Sequence, residues 1–286
     1  MKSAWIVAVL LCVVVVSGAS AQVLSNFTTI TGITARTMGM GNVGIAVADD
    51  AAAWLQNPAG LASLNIPCPE GKLWANDIVG TWSDLDELTG LGLTWSGFQP
   101  AKGIGFGAGI SDVEDIGTFY GAGFGMNIGT SPFSAGVTVQ RTNFDVSIDD
   151  ETLFNLGLMY NLPLAERAPV RLGLVVEDIT DETDMGPFFN FGAAWYATPA
   201  LLLAADVVDL TDETDDGPFF NLGAEYAFGT DMAWKARAGL VDSLLSNGHD
   251  LTLGVGYKFV NNWRLDAAWQ DFGGSDVLSV SAGYSF

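Results

Sequence analysis

The sequence predicts an all-β chain: a transmembrane, antiparallel, up-and-down β-barrel of about 14 strands, with a short N-terminal helical hatch in its lumen. Three observations carry that prediction. From Leu73 onward, apolar residues alternate with small or polar ones in runs of about ten. Mean hydropathy is +0.31 although the formal net charge is −22. No stretch after residue 22 approaches the roughly 18 unbroken apolar residues of a spanning helix. Open strands leave backbone groups unsatisfied in lipid, so such a chain crosses a bilayer only as a closed barrel.

The elements follow in order. Residues 1–21 read as a secretory signal peptide. Lys2 gives a basic start, Ala4 to Val16 an apolar core, and Ala19-Ser20-Ala21 a cleavage site. Its removal leaves Cys68 as the one cysteine, which excludes an internal disulfide and a four-cysteine metal site. With no histidine near it in sequence, Cys68 is expected to be a packed small residue rather than a nucleophile. Residues 22–72 are the expected hatch, with a helix from about Asp49 to Leu55 that stops at Asn57-Pro58. Residues 73–286 are the expected barrel. Its strands are predicted near 73–83, 89–98, 102–111, 118–128, 132–142, 152–162, 169–178, 187–197, 200–208, 218–228, 232–241, 250–259, 262–270 and 277–286. The even number and the strand length suit a bacterial outer-membrane barrel.

The connections sort into two kinds. If the last strand ends in the periplasm, the turns on that side are mostly short, as at Gln99-Pro100-Ala101 and Val260-Asn261. The opposite connections hold nearly all the acidic clusters, from Asp84 to Asp276. One repeat is explicit: Ile179 to Ala193 reappears as Leu210 to Ala224, 31 residues later, which reads as a duplicated hairpin. The acidic balance excludes nucleic acid as a partner, since phosphate binding needs clustered Lys and Arg.

Two N-terminal stretches, Ala35 to Asn42 with Ala46 to Asp50, and Asn57-Pro58-Ala59-Gly60-Leu61-Ala62, resemble the signature of the PorV/PorQ family of outer-membrane proteins. That family is related to FadL-type transporters. The resemblance extends to Asn221 to Tyr226, Gly254 to Tyr257 and the closing Ser279 to Phe286. It implies a fourteen-stranded barrel with a hatch, passing hydrophobic molecules as in FadL relatives or serving protein secretion as in PorV relatives. Short extracellular loops argue against a deep ligand vestibule.

Candidate functional residues fall into four groups. Arg36, Gly39, Gly41, Asp49, Asp50, Asn57 and Pro58 are assigned to the hatch. Arg171, Asp206, Glu225, Lys235, Arg237, Lys258, Arg264 and Asp266 fall on the inward face by parity. There they either select solute and grip the hatch or form a stiffening salt-bridge ladder. Tyr284 and Phe286 resemble the C-terminal signal read by the barrel assembly machinery. Asp181, Glu182, Asp184, Asp212, Glu213 and Asp215 offer carboxylates to Ca²⁺, against the alternative of solvated, mutually repelling loops. The alternating glycines Gly103 to Gly109 and Gly121 to Gly125 are too regular for a dinucleotide loop. They read as an inward face on which the hatch packs, or as a bare lumen wall. The lone His249 lies in an acidic loop with no nucleophile on a strained turn, so no enzyme is expected.

The resulting expectation is a protein of the cell outer membrane with no cofactor. Its partners would be outer-membrane lipid, the assembly machinery, and a hydrophobic small-molecule ligand or secretion-system proteins. Passive transport gated by the hatch leads; a non-conducting anchor or shuttle in secretion is the alternative.

Overall fold

A computed structural model describes residues 34–85, 88–145, 150–162, 169–180, 187–211, 218–242, 249–272 and 275–286. The expected signal peptide at 1–21, residues 22–33 of the expected hatch, and Asp181, Glu182, Asp184, Asp212, Glu213 and Asp215 lie outside them.

Fourteen antiparallel strands form one closed barrel in sequence order, with the last strand paired to the first. They are β1 (Ala75–Leu85), β2 (Leu88–Gln99), β3 (Ile104–Val113), β4 (Gly117–Asn127), β5 (Phe133–Phe144), β6 (Glu151–Leu162) and β7 (Val170–Glu177). The circuit continues through β8 (Phe188–Thr198), β9 (Leu201–Val208), β10 (Phe219–Phe228), β11 (Trp234–Asp242), β12 (His249–Lys258), β13 (Trp263–Phe272) and β14 (Ser275–Ser285). The seam is fully registered, from Asp77 opposite Ser285 to Leu85 opposite Val277. Closure leaves no sheet edge, which a lipid-embedded sheet requires.

Period two decides which side chains meet lipid. Along β10, Phe219, Asn221, Gly223, Glu225 and Ala227 are covered while Phe220, Leu222, Tyr226 and Phe228 are exposed. At the end of the barrel holding the C-terminus the outer face has a band of touching rings. Trp234 lies 4.6 Å from Tyr257, Trp263 5.0 Å from Tyr284, and Tyr284 5.7 Å from Phe286. Rings of this kind favour the membrane interface. Phe286 and Asn76 exchange backbone hydrogen bonds at 2.8 and 2.9 Å, so the final residue completes the seam.

A four-residue core of the repeat, Phe-Asn-x-Gly, occurs a third time. Phe154-Asn155-Leu156-Gly157, Phe189-Asn190-Phe191-Gly192 and Phe220-Asn221-Leu222-Gly223 lie within β6, β8 and β10. Each Asn side-chain oxygen accepts from the N–H of an Asp at the loop end of a neighbouring strand: Asp178 at 3.0 Å, Asp209 at 2.8 Å and Asp242 at 3.2 Å. Asp178 and Asp209 have φ of 51° and 54°, the left-handed region that Asp tolerates.

Inside the barrel, residues 34–64 form an inner segment of two short helices, α1 (Ala35–Gly39) and α2 (Ala53–Gln56), and a 3₁₀ turn at Pro58–Ser63. α1 gives no periodic signal at five residues. It is defined by Thr34, whose side chain accepts from Thr37 N–H. The helix expected from Asp49 is shorter, because the wall takes the backbone groups it needs. Ala51 N–H donates to Asp77, and Ala51 C=O accepts from Thr94 and Ser96.

Inward glycines seat this segment. Gly125, Gly136 and Gly157 are consecutive cross-strand partners. A Cβ there would lie 2.3 Å from Pro58 O, 2.3 Å from Pro58 C and 2.2 Å from Asn57 Oδ1 respectively. Gly173 and Gly192 meet Ile45, while Gly223 and Gly239 meet Met40 and Gly41. The stripe on β3 and β4 holds Trp54 and Leu61. Gly103 is not part of it: its φ of +59° makes it a turn residue, so β3 starts at Ile104. Cys68 is exposed rather than packed, because the chain has left the lumen by that point.

Replacing Gly136 by Leu is expected to displace the inner segment and destabilise the barrel by about 1–3 kcal/mol through overpacking. Gly80→Ala, where the nearest atom is 4.0 Å away, should change nothing. Limited proteolysis and urea unfolding of the folded barrel distinguish the two.

Candidate functional site

The inner segment has little regular structure, so most of its backbone groups need partners from elsewhere. Inward Ser, Thr and Asp side chains supply them. Ala35 N–H donates to Ser281 at 2.7 Å and Gly41 N–H to Thr252 at 2.9 Å. Asp206 accepts from Gly44 and Ile45 N–H at 2.7 and 3.1 Å. Thr138 donates to Trp54 C=O at 2.6 Å, and the Trp54 indole donates to Thr94 at 2.6 Å. Asn57, wholly buried, ties the segment to itself and to the wall. Its amide donates to Ile45 C=O and Leu158 C=O, and its oxygen accepts from Ala59 N–H to cap the 3₁₀ turn that Pro58 begins.

Gly39 at the end of α1 and Gly41 just beyond it let the segment lie against the wall. A Cβ on Gly39 would lie 2.8 Å from Gly254 Cα, and one on Gly41 2.3 Å from Leu222 O. At Gly41 the φ of +69° adds a second reason for glycine.

Below this layer, toward the C-terminal end, the charged residues converge. Arg36 reaches down from α1 to Asp49, Asp50 and Glu225, at 2.5, 2.9 and 3.3 Å. Arg237 bridges Glu225 and Asp266 at 2.7 Å each. Arg264 grips Asp77 with two bonds of 2.6 Å, and Asp77 in turn accepts from Ala51 N–H. Lys235 stands 3.9 Å from Glu225. Arg171 donates to Val47 C=O and lies 5.5 Å from the centre of the Tyr196 ring, whose hydroxyl donates to Asp49. Lys258 lines the space beneath without an ion pair among the described residues. Of the predicted lumen set, Glu225, Lys235, Arg237, Lys258, Arg264 and Asp266 lie together with the predicted Arg36, Asp49 and Asp50; Arg171 reaches Val47 and Tyr196, and Asp206 stands apart at the Gly44 and Ile45 N–H groups. The parity reading gave no role to Asp77, Trp54 or Tyr196. Asp77 was legible as an acid on an inward strand position.

Burial opposes the Arg36 charge, yet Asp49, Glu225 and Asp50 together raise its pKa well above the usual value. Burial likewise pushes against the Asp50 carboxylate. The Arg36 and Arg264 charges and the Ala52 N–H outweigh it and hold Asp50 below the ordinary carboxylate range.

Two spaces flank the layer. A charged cavity of about 180 Å³, lined by Arg36, Asp50, Lys235, Lys258, Arg264 and Asp266 among others, lies toward the C-terminal end. Toward the loops, Trp54, Leu55 and Phe119 line a pocket of only about 30 Å³. That is room for little more than water. Tyr284 and Phe286 face outward, away from both. His249 opens β12, exposed, with Nδ1 3.3 Å from Asp242. Among the described residues there is no cluster of three or more His, Cys, Asp or Glu placed to hold a metal.

The sequence from 89 to 259 matches the family described as outer membrane protein beta-barrel domain. No curated protein matches. Among solved structures the chain is similar to the CymD monoaromatic hydrocarbon channel, with a TM-score of 0.59 at 14% identity. It is also similar to the toluene transporter TbuX of Ralstonia pickettii, with a TM-score of 0.53 at 13% identity. Each alignment covers 90% of this chain and 98% of the other. A deletion mutant of TodX, a monoaromatic hydrocarbon channel, gives a TM-score of 0.54 at 14% identity over the same shares.

Arg237→Ala removes the ion pair of buried Asp266, while Glu225 keeps Arg36 and Lys235, and is expected to cost about 3–5 kcal/mol, read as a lower urea midpoint of the folded barrel. Asp50 has a lower pKa folded than unfolded. Its contribution is whole above the ordinary carboxylate value near ~4 and is lost as pH falls through the folded value. Protease access to the inner segment should therefore rise on acidification.

Proposed function

The chain belongs to the outer membrane protein β-barrel domain family and resides in the outer membrane, and from that premise we propose that it is a passive transporter of hydrophobic small solutes with the inner segment as its hatch. The observation that carries this reading is how the lumen is closed. Residues 34–64 share no strand ladder with the wall and are held by side-chain hydrogen bonds and ion pairs. Such contacts can be broken and remade without unfolding a strand. The pocket beside Trp54, bordered also by Leu93, Ile110, Tyr120 and Arg141, has room for little more than water, so on this reading the segment moves when a solute passes. Register is continuous across β2 to β6, which favours movement of the segment over a standing gap in the wall. Likeness of fold to the toluene and monoaromatic hydrocarbon channels supports a hydrophobic solute on this reading. The apolar Trp54 surface toward the loops is consistent with it.

A second reading is a non-conducting barrel that anchors or shuttles partners in protein secretion, as the PorV-like signature implies. It is favoured by the burial of the residues that hold the inner segment: Asp77 and Asn57 are fully covered, and Arg237 is nearly so. On the transporter reading, proteoliposomes of the mature chain take up a labelled monoaromatic hydrocarbon. Removing residues 23–69 then raises ionic conductance in planar bilayers. Absence of uptake and of conductance in both forms, with secretion proteins co-purifying, would replace that reading with the second.

A further inference from the structure

Of the basic residues in the described strands, Arg171, Lys235, Arg237, Lys258 and Arg264 all face the lumen, consistent with the cost of a charge in lipid. Arg141 alone faces out. Its cross-strand partner Tyr120 is exposed, as are Ile110 and Leu93 further along the same row, while the adjacent Thr142 is buried. Arg141 sits near the loop end of β5, the end that faces the cell exterior in barrels with short periplasmic turns.

The guanidinium is held in place rather than free. Nε donates to Asn143 at 3.1 Å, Nη1 to Thr152 at 3.0 Å and Nη2 to Asp150 at 3.0 Å. A guanidinium has five N–H groups, so two remain, and the side chain is 43% exposed. Down the same outer face lies an apolar hollow of about 280 Å³, bordered by Phe124, Met126, Val137, Leu158 and Leu174. Ala135 forms part of its floor, its small side chain set among larger ones. Val137 is four residues along the strand from Arg141 and Ala135 six, or roughly 13 and 20 Å at the usual strand rise. That span takes a chain from the outer interface to about the middle of a ~30 Å hydrocarbon layer.

We infer that this face is a docking site for a phosphate-bearing acyl lipid of the outer leaflet, its phosphate on Arg141 beside Tyr120 and one acyl chain in the hollow over β4–β7. Planar N–H pairs suit phosphate oxygens, and a hollow without polar side chains suits a methylene chain. Asp150 keeps the site locally neutral, so recognition rests on geometry and on the chain as much as on charge. The phosphate end of the site borders the small pocket beside Trp54, which Leu93, Ile110, Tyr120 and Arg141 also line.

The test uses the full mature protein, folded in detergent and shown folded by heat-modifiable migration. Native mass spectrometry follows retention of dioleoyl phosphatidic acid, with dioleoylglycerol and inorganic phosphate as comparisons. One phosphatidic acid per barrel is expected, in preference to dioleoylglycerol and undisturbed by free phosphate. Arg141→Gln should weaken retention about tenfold, the worth of a charged hydrogen bond. Filling the hollow with Ala135→Trp, or with Ala135→Leu should the larger variant not fold, should weaken it similarly. Lys102→Gln, on a turn at the far end, should leave it unchanged. Equal retention of the two lipids, an unaffected Arg141→Gln, or displacement by phosphate alone would overturn the inference.

Discussion

Everything inside this barrel depends on one requirement: an irregular backbone enclosed by a sheet must find a partner for its N–H and C=O groups. A sheet whose own groups are all paired in its ladders can offer only side chains. The inward Ser, Thr, Asn and Asp residues do that work at the points where the chain passes, from Ser281 at Ala35 to Thr138 at Trp54. Remove those short polar groups and the lumen would hold water or a different plug.

Satisfying the backbone also requires letting it come close. Cross-strand glycines provide the approach, since a methyl group at Gly125, Gly136 or Gly157 would collide with Asn57 or Pro58. The cost is weaker strand preference at each glycine. It is tolerable because a closed ladder constrains every strand from both sides. Short polar side chains and absent side chains are thus two halves of one solution, alternating along the same inward faces.

Charge follows the same geometry. The lipid-facing side excludes nearly every cation, so Arg and Lys gather where carboxylates can meet them, in the layer beneath the inner segment. Arg36 joins that layer from the segment itself, and Asp77 joins it from β1 while also holding Ala51. The ion pairs therefore link the segment to β1, β10, β11 and β13 as one unit. A movement of the segment has to break several contacts together.

The strand count, the inward parity of residues such as Arg237 and Asp266, and the acidic loop end are legible from residue order. Each depends only on a two-residue period and on lipid as solvent. The inner segment's path is not. Its helices are too short for periodicity, and its shape is set by partners up to 246 residues away, as at Ala35 and Ser281. The link of Arg264 to Asp77 across the seam, the seat of Trp54 among glycines and the outward hollow around Ala135 likewise exist only once the strands close and bring their registers together. Local pattern determines which face each side chain takes; which other face it meets is decided by closure of the ring.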